Sequence, residues 1–426
     1  MSNSKWESGI DLLILSAFSY LYIPVIIFCV TWFKWFIGIP VSVFAAAPVI
    51  VLILKTGKRG RLSGAENIIF SVIAFLLCLC WCYFSGLGGF VLQSGDFPKH
   101  NVILRDLITM DIPVRYVFNG KKGFLSYYIG AYLVPAFVGR AFGGSFDRAN
   151  DALLLWTALG IFIALLLIYR ESGLRKGRAL VIMLAAIVLF ATFVCPLSAI
   201  FSRWRPEEVG DGLHWLSNTI WIQYSSDITL LSYVFPQMLS GLLGVALFKA
   251  FRHEYDKWGL VLAPLVLYSA FVFLGMAVLM LTVLVSDLYV QEQLSLKSIF
   301  SLYNICSLIT AAALVLYLLG NIIQERPPGI PGAFGITDYR GHFFTLLIFD
   351  AAWALWFVIL YAGDDKKRDN ALLAAAAINL FIYPFLRMGY YNDLCMRASI
   401  PALLTVAVTT AESLAGAMAG ERQMRK

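Results

Sequence analysis

The chain has 426 residues, of which 60% are hydrophobic and 14% charged, with a formal net charge of +7. Soluble domains carry about a quarter charged residues and lack repeated apolar runs near twenty residues long, so a soluble protein is excluded and a polytopic membrane protein expected. The positive charge is spread over loops, which fits residence among membrane lipids and argues against nucleic acid as a partner.

Residues 10–32 and 35–54 read as a first hairpin of spans. No small-residue cleavage site separates the two runs, so no cleavable signal peptide is expected. The basic stretch Lys55-Thr56-Gly57-Lys58-Arg59-Gly60-Arg61 belongs in the cytoplasm, and the amino terminus with it. A third span, residues 68–92, then delivers Ser94-Gly95-Asp96-Phe97-Pro98-Lys99-His100-Asn101 to the opposite side. Pro98 suits the first turn of a helix running to about Met110. Ile103, Leu104, Leu107 and Ile108 share one side of that helix, while Asn101, Arg105, Asp106 and Thr109 take the other, the pattern of a helix lying in the membrane interface. Asp96 stands just ahead of it, with Lys99 and His100 a turn away. It is either a general base held at the membrane surface or a marker of the loop-to-helix boundary.

Residues 124–142 and 152–169 are both apolar and precede the basic loop 170–178. Two full spans would carry that loop outside, against the charge rule. Residues 124–142 are therefore expected to be re-entrant or interfacial, and Tyr127, Tyr128, Tyr132, Pro135 and Arg140 suit such a place. Residues 179–201 lead outward, 202–227 form a second outer loop, and 228–251 return. Residues 259–285, interrupted at Pro264 and Gly275, are predicted as a hairpin of half-helices, which keeps Lys366-Lys367-Arg368 and the basic tail 422–426 in the cytoplasm. Further spans are expected at 300–320, 342–362, 371–387 and 398–415. The prediction is one all-α membrane domain of about 10–13 segments: an extra hairpin at 10–54, an outer loop with interfacial helices at 93–150, a bundle from 151 onward, and no soluble domain.

The outer stretches hold an unexpected number of cations, among them Lys99, Arg115, Lys121, Lys122, Arg203, Arg205, Arg387 and Arg397. Arginine forks suit a bound phosphate, whereas snorkelling to lipid headgroups needs no site. Arg397 is the better candidate because it follows Asn392-Asp393 and precedes Ser399-Ile400-Pro401 at the start of an apolar helix. Gln223 and Asp227 stand at the mouth of another span. Cys78, Cys80 and Cys82 splay around a helix as packing residues, and no HExxH, paired CxxC, P-loop or GxSxG pattern is present. No cofactor is assigned, and no pattern calls for a divalent metal.

An early outer loop with an acidic residue, Gly95-Asp96-Phe97-Pro98-Lys99-His100, followed by interfacial helices, resembles the layout of GT-C glycosyltransferases. Phe124-Leu125-Ser126-Tyr127-Tyr128, then a helix, then Ala149-Asn150-Asp151-Ala152-Leu153, is similar to the Tyr-rich helix preceding a span in protein O-mannosyltransferases and lipid A aminoarabinose transferases. Gln223-Tyr224-Ser225-Ser226-Asp227 and the stretch from Asn392 to Pro401 look like segments of bacterial GT-C-like membrane proteins. The resemblance runs from about residue 68 onward and its motifs are short. The chain departs from the family in lacking an Asp-Asp or Asp-Glu doublet, in its extra first hairpin and in having no soluble domain after the last span.

The resemblance implies an inverting transferase in a bacterial plasma membrane, taking a polyprenyl-phosphate-linked sugar on the non-cytoplasmic side to a glycan, lipid or protein acceptor. Asp96 would be the base. Arg397, then Arg203 or Arg205, would hold the phosphate, while Lys99, His100, Tyr127, Tyr128, Gln223, Asp227, Asn392 and Asp393 would line the substrate site with Trp215 and Trp221. A transporter or flippase of lipid-linked glycans is the alternative. It calls for polar groups along a path through the spans, and Asp11, Asp287 and Asp350 all fall near span ends. A non-catalytic glycan- or lipid-binding scaffold is the third reading.

Overall fold

A computed structural model describes residues 11–55, 65–190, 224–290, 296–320, 335–336, 369–388 and 393–420. The expected span at 342–362 and the loop 56–61 lie outside them. Eight of the described helices are long and apolar enough to cross a bilayer, so the protein is a polytopic helical membrane protein.

Helices α1 (Leu12–Trp32) and α2 (Trp35–Lys55) form the first hairpin. Helix α3 (Ala65–Phe84) ends eight residues short of the predicted 92, because Gly86, Gly88 and Gly89 all take positive φ and turn the chain out of the helix. Helix α4 (Phe97–Thr109) buries Ile103, Leu104, Leu107 and Ile108 within the protein, where the sequence placed this apolar side toward the membrane. Two strands follow, β1 (Arg115–Phe118) and β2 (Lys121–Phe124), paired antiparallel. The helical fold carries this small hairpin and a second short pairing, of Gly335–Ile336 with Leu386–Arg387. Asn119-Gly120, both with positive φ, is the two-residue turn that favours a hairpin.

Helix α5 (Gly130–Ala141) has 12 residues, about 18 Å of helix, too short to cross a hydrocarbon core of about 30 Å. The stretch 124–142, expected as a re-entrant or interfacial helix, is thus not a single full span, and its helical part is buried against its neighbours. Helix α6 (Phe146–Ser172) is a full span, α7 (Gly177–Val188) leads away from it, and α8 (Asp227–Ala250) is buried almost throughout. The segment predicted as two half-helices is unequal. Two short pieces, α9 (Trp258–Leu262) and α10 (Leu265–Tyr268), are followed by the full-length α11 (Ala270–Val290). One break falls at Pro264, as expected, and the other at Ser269, whose extended backbone interrupts the helix, rather than at Gly275. Helices α12 (Leu302–Leu319), α13 (Asn370–Ile382), α14 (Asp393–Ala398) and α15 (Ile400–Ala419) complete the described bundle.

Buried ion pairs collect at one end of the bundle. Asp11, which caps α1, pairs with Arg170 at 2.7 Å, and Lys249 pairs with Glu412 at 2.9 Å. Lys176 Nζ and Arg178 Nη2 donate to the Ala419 carbonyl, closing the end of α15. Arg252 holds Asp287 with two hydrogen bonds, of 2.6 and 3.0 Å, and Asp369 with another of 2.5 Å. Arg252 precedes α9 and Asp287 ends α11, so the chain between them goes in and comes back. That return is what the hairpin reading of 259–285 requires. Most of these groups are buried, so each charge depends on the partner it faces.

Candidate functional site

The opposite end is organised by a defect in α8. Pro236 has no N–H to give the Ser232 carbonyl, and Val234 leaves helical geometry (φ −135°, ψ 44°). The Ser232 carbonyl is thereby freed inside the bundle, where an unpaired one is costly, and the backbone around Tyr233 is distorted. Ser94 Oγ donates to the Ser232 carbonyl at 2.6 Å, and His100 Nε2 to that of Tyr233 at 2.9 Å. The polar stretch ahead of α4 therefore fills the break in α8.

His100 is buried, packed by Phe97, Phe235 and Tyr132. A carbonyl only accepts, so the proton sits on Nε2, and Nδ1 receives the Tyr132 hydroxyl at 2.5 Å. Burial pushes the imidazole down from 6.5 to about 4, opposed by the Tyr233 carbonyl. His100 is thus a neutral pin joining α4, α5 and α8, with both ring nitrogens engaged inside the protein. Arg140 finishes α4 from the α5 side, donating from Nε to the Leu107 carbonyl at 2.7 Å and from Nη2 to that of Met110.

Asp96 occupies the cap position of α4, yet its side chain makes no capping hydrogen bond. Its carboxylate, 36% exposed, faces Lys99 Nζ at 3.5 Å. Arg397, on α14, lies within electrostatic reach of Asp96, Tyr127 and Tyr128. Nη1 donates to the Tyr128 hydroxyl at 2.8 Å, and Gln237 Nε2 donates to the same oxygen at 2.9 Å. Asp393 Oδ1 is 3.1 Å from Arg397 Nε, an ion-pair distance without the direction of a hydrogen bond, so Nε stays unpartnered. Nη2 makes no bond with the described residues. The guanidinium is held on one side and uncommitted on the other.

Tyr127 stacks on Tyr128 with ring centroids 3.8 Å apart. Burial raises the Tyr127 phenol well above its ordinary range, so it is a neutral donor. The far end of α12 fixes this pair. Tyr317 donates to the carbonyls of Leu125 and Tyr127, at 2.7 and 2.9 Å, while Ser126 Oγ donates to that of Leu318 at 2.7 Å. Gly275 lets α11 approach the α14–α15 junction, since a Cβ there would lie 2.0 Å from the Ala398 carbonyl oxygen.

The structure thus brings together Asp96, Lys99, Tyr127, Tyr128, Asp393 and Arg397, with His100 behind them. Asp227 is elsewhere. It opens α8 fully buried, and neither carboxylate oxygen has a hydrogen-bond partner. Arg203, Arg205, Gln223 and Asn392, with Trp215 and Trp221, lie outside the described residues. Asp106, expected on the solvent face of α4, instead accepts the Tyr116 hydroxyl at 2.5 Å and ties the β-hairpin to the helix. Sequence reasoning missed Gln237 and Tyr317, and named Tyr132 only as an interfacial residue. Gln237 had a signal, an amide directly after a proline in an apolar run. Among the described residues, no three His, Cys, Asp or Glu side chains group to hold a metal. Compared with family models, curated proteins and solved structures, the chain matches none.

Proposed function

We propose that the protein is an inverting glycosyltransferase of the bacterial plasma membrane, using a polyprenyl-phosphate-linked sugar at the non-cytoplasmic end of the bundle. The observation that carries the reading is a carboxylate, Asp96, within electrostatic reach of a partly uncommitted guanidinium, that of Arg397. Asp96 is free of capping, and Arg397 keeps one amino group uncommitted while Tyr128, Gln237 and Asp393 orient the rest. Asp96 takes the proton of an acceptor hydroxyl on a glycan, lipid or protein. The acceptor oxygen bonds to the anomeric carbon as the bond from that carbon to the phosphate oxygen breaks. The carrier phosphate leaves with the electron pair, and Arg397 stabilises its charge. Tyr127 and Tyr128 offer an aromatic wall to the sugar. The closest experimental test is donor binding by the full-length protein. Arg397→Ala loses affinity for polyprenyl phosphate, and Arg397→Lys recovers part, because lysine lacks the fork. Unchanged affinity in the alanine variant leaves Arg397 as a lipid-snorkelling residue and sinks the proposal.

A second reading, a transporter or flippase of lipid-linked glycans, has one observation in its favour. Helix α8 is kinked within the bundle and carries Ser232 Oγ and Gln237 Oε1 buried without partners. Movement of a labelled carrier across proteoliposomes without sugar transfer selects it.

A further inference from the structure

We propose that the β-hairpin is a docking surface for anionic lipid headgroups, separate from the Arg397 site. Arg115, Val117, Lys121 and Lys122 are all exposed, Val117 by 71%. The register pairs Arg115 with Phe124 and Val117 with Lys122, so Arg115, Val117 and Lys122 share one face. Tyr116 is on the other face and reaches back to Asp106 of α4. Neither Arg115 nor Lys122 makes an ion pair or side-chain hydrogen bond with the described residues. Within 111–124 three cations stand against the single carboxylate of Asp111. Cations at this end run against the usual charge bias, and the catalytic reading leaves these three unused.

The hairpin's position names the partner. Phe124 stacks on Tyr317 with centroids 5.9 Å apart, anchoring β2 to the end of α12. Leu316 and Leu319 beside it are 69% and 73% exposed, as lipid-facing residues are. At the same end Trp35 and Phe36 are exposed at the start of α2, with Lys34 Nζ 5.9 Å from the Phe36 ring. An aromatic and basic belt of this kind marks the headgroup level. The hairpin stands at that level with an apolar residue between two cations, so it fits an acidic headgroup with an acyl chain beneath it.

The test is native mass spectrometry of the purified full-length protein, titrated with phosphatidylglycerol or phosphatidylcholine. Retention of phosphatidylglycerol over phosphatidylcholine is expected. Neutralising one cation lowers it about fivefold and the triple variant R115Q/K121Q/K122Q on the order of 10²-fold at low salt. The charge-preserving R115K/K121R/K122R and Arg397→Ala both retain the lipid, which separates this proposal from the transferase reading. Val117→Asn weakens retention a few-fold, and excess inorganic phosphate fails to displace the lipid, because an acyl chain contributes. If the triple variant does not fold, the wild-type protein decides alone, since its bound lipid must fall away as salt rises. Equal retention of the two lipids, salt-independent retention, a triple variant like wild type, or displacement by phosphate each overturns the proposal.

Discussion

His100→Phe tests whether the break in α8 is held by the loop ahead of α4. The substitution keeps an aromatic ring among Phe97, Phe235 and Tyr132 but removes the bonds to the Tyr233 carbonyl and the Tyr132 hydroxyl. Each buried group left unpaired costs about 1–3 kcal/mol in water-soluble proteins, while hydrogen bonds inside membrane bundles average nearer about 0.6 kcal/mol. Two orphans therefore predict a loss of about 1–5 kcal/mol, read by denaturant unfolding in micelles. Tyr132→Phe and the double variant close a cycle whose coupling should be about 0.5–2 kcal/mol. Amide exchange should quicken in residues 94–100 and 232–237 together. The pH dependence follows with its sign. His100 is held neutral, with its imidazole lowered from 6.5 to about 4 by burial. Its contribution is full above about pH 6.5 and is lost as pH falls toward 4, because the unfolded chain binds the proton first. That window corresponds to about 3 kcal/mol, and His100→Phe should flatten it. A variant as stable as wild type at pH 7, with the same acid limb and unchanged exchange, would refute the pin.

Arg252→Gln should cost about 3–5 kcal/mol by thermal unfolding, since it strands buried Asp287 and part-buried Asp369. A loss below about 1 kcal/mol contradicts the role given to that cluster. Gly275→Ala should lower both melting temperature and carrier binding, because the added methyl meets the Ala398 carbonyl beside Arg397. If both stay unchanged, α11 does not set the position of α14. Asp227→Asn should be close to neutral for stability, as it replaces a buried carboxyl that has no hydrogen-bond partner. A marked loss of transfer with intact stability assigns Asp227 to the substrate site instead.

The spans and the apolar side of α4 were legible because a membrane demands long apolar runs and an apolar helix face repeats near 3.6 residues, but the packing of that side into the protein was not. The shortness of α5 was legible too, from the charge of the loop 170–178. The early end of α3 was not, since Leu87, Phe90, Val91 and Leu92 continue the apolar composition while neighbouring glycines turn the backbone. Charge balance gave the return of 259–285, but not the turn at Ser269, which lacks any strong breaking residue. Asp96 and Arg397 were chosen from their places beside span ends. His100 was chosen as a substrate-site residue, but its role as a neutral pin was not legible, because its partner carbonyl, that of Tyr233, is 133 residues away. The hydroxyl of Tyr128, which ties Arg397 to Gln237, belongs likewise to tertiary structure.

Transfer of labelled sugar from a polyprenyl-phosphate donor by Asp96→Asn is the most direct measurement of the central claim. The amide keeps the shape and removes the proton acceptor, so the account predicts intact folding, unchanged donor affinity and a rate about 10²–10⁴-fold lower. Asp106→Asn, which disturbs only the hairpin contact, should lose far less. Full transfer by Asp96→Asn, or equal loss in the two variants, contradicts the assignment of Asp96 as the base.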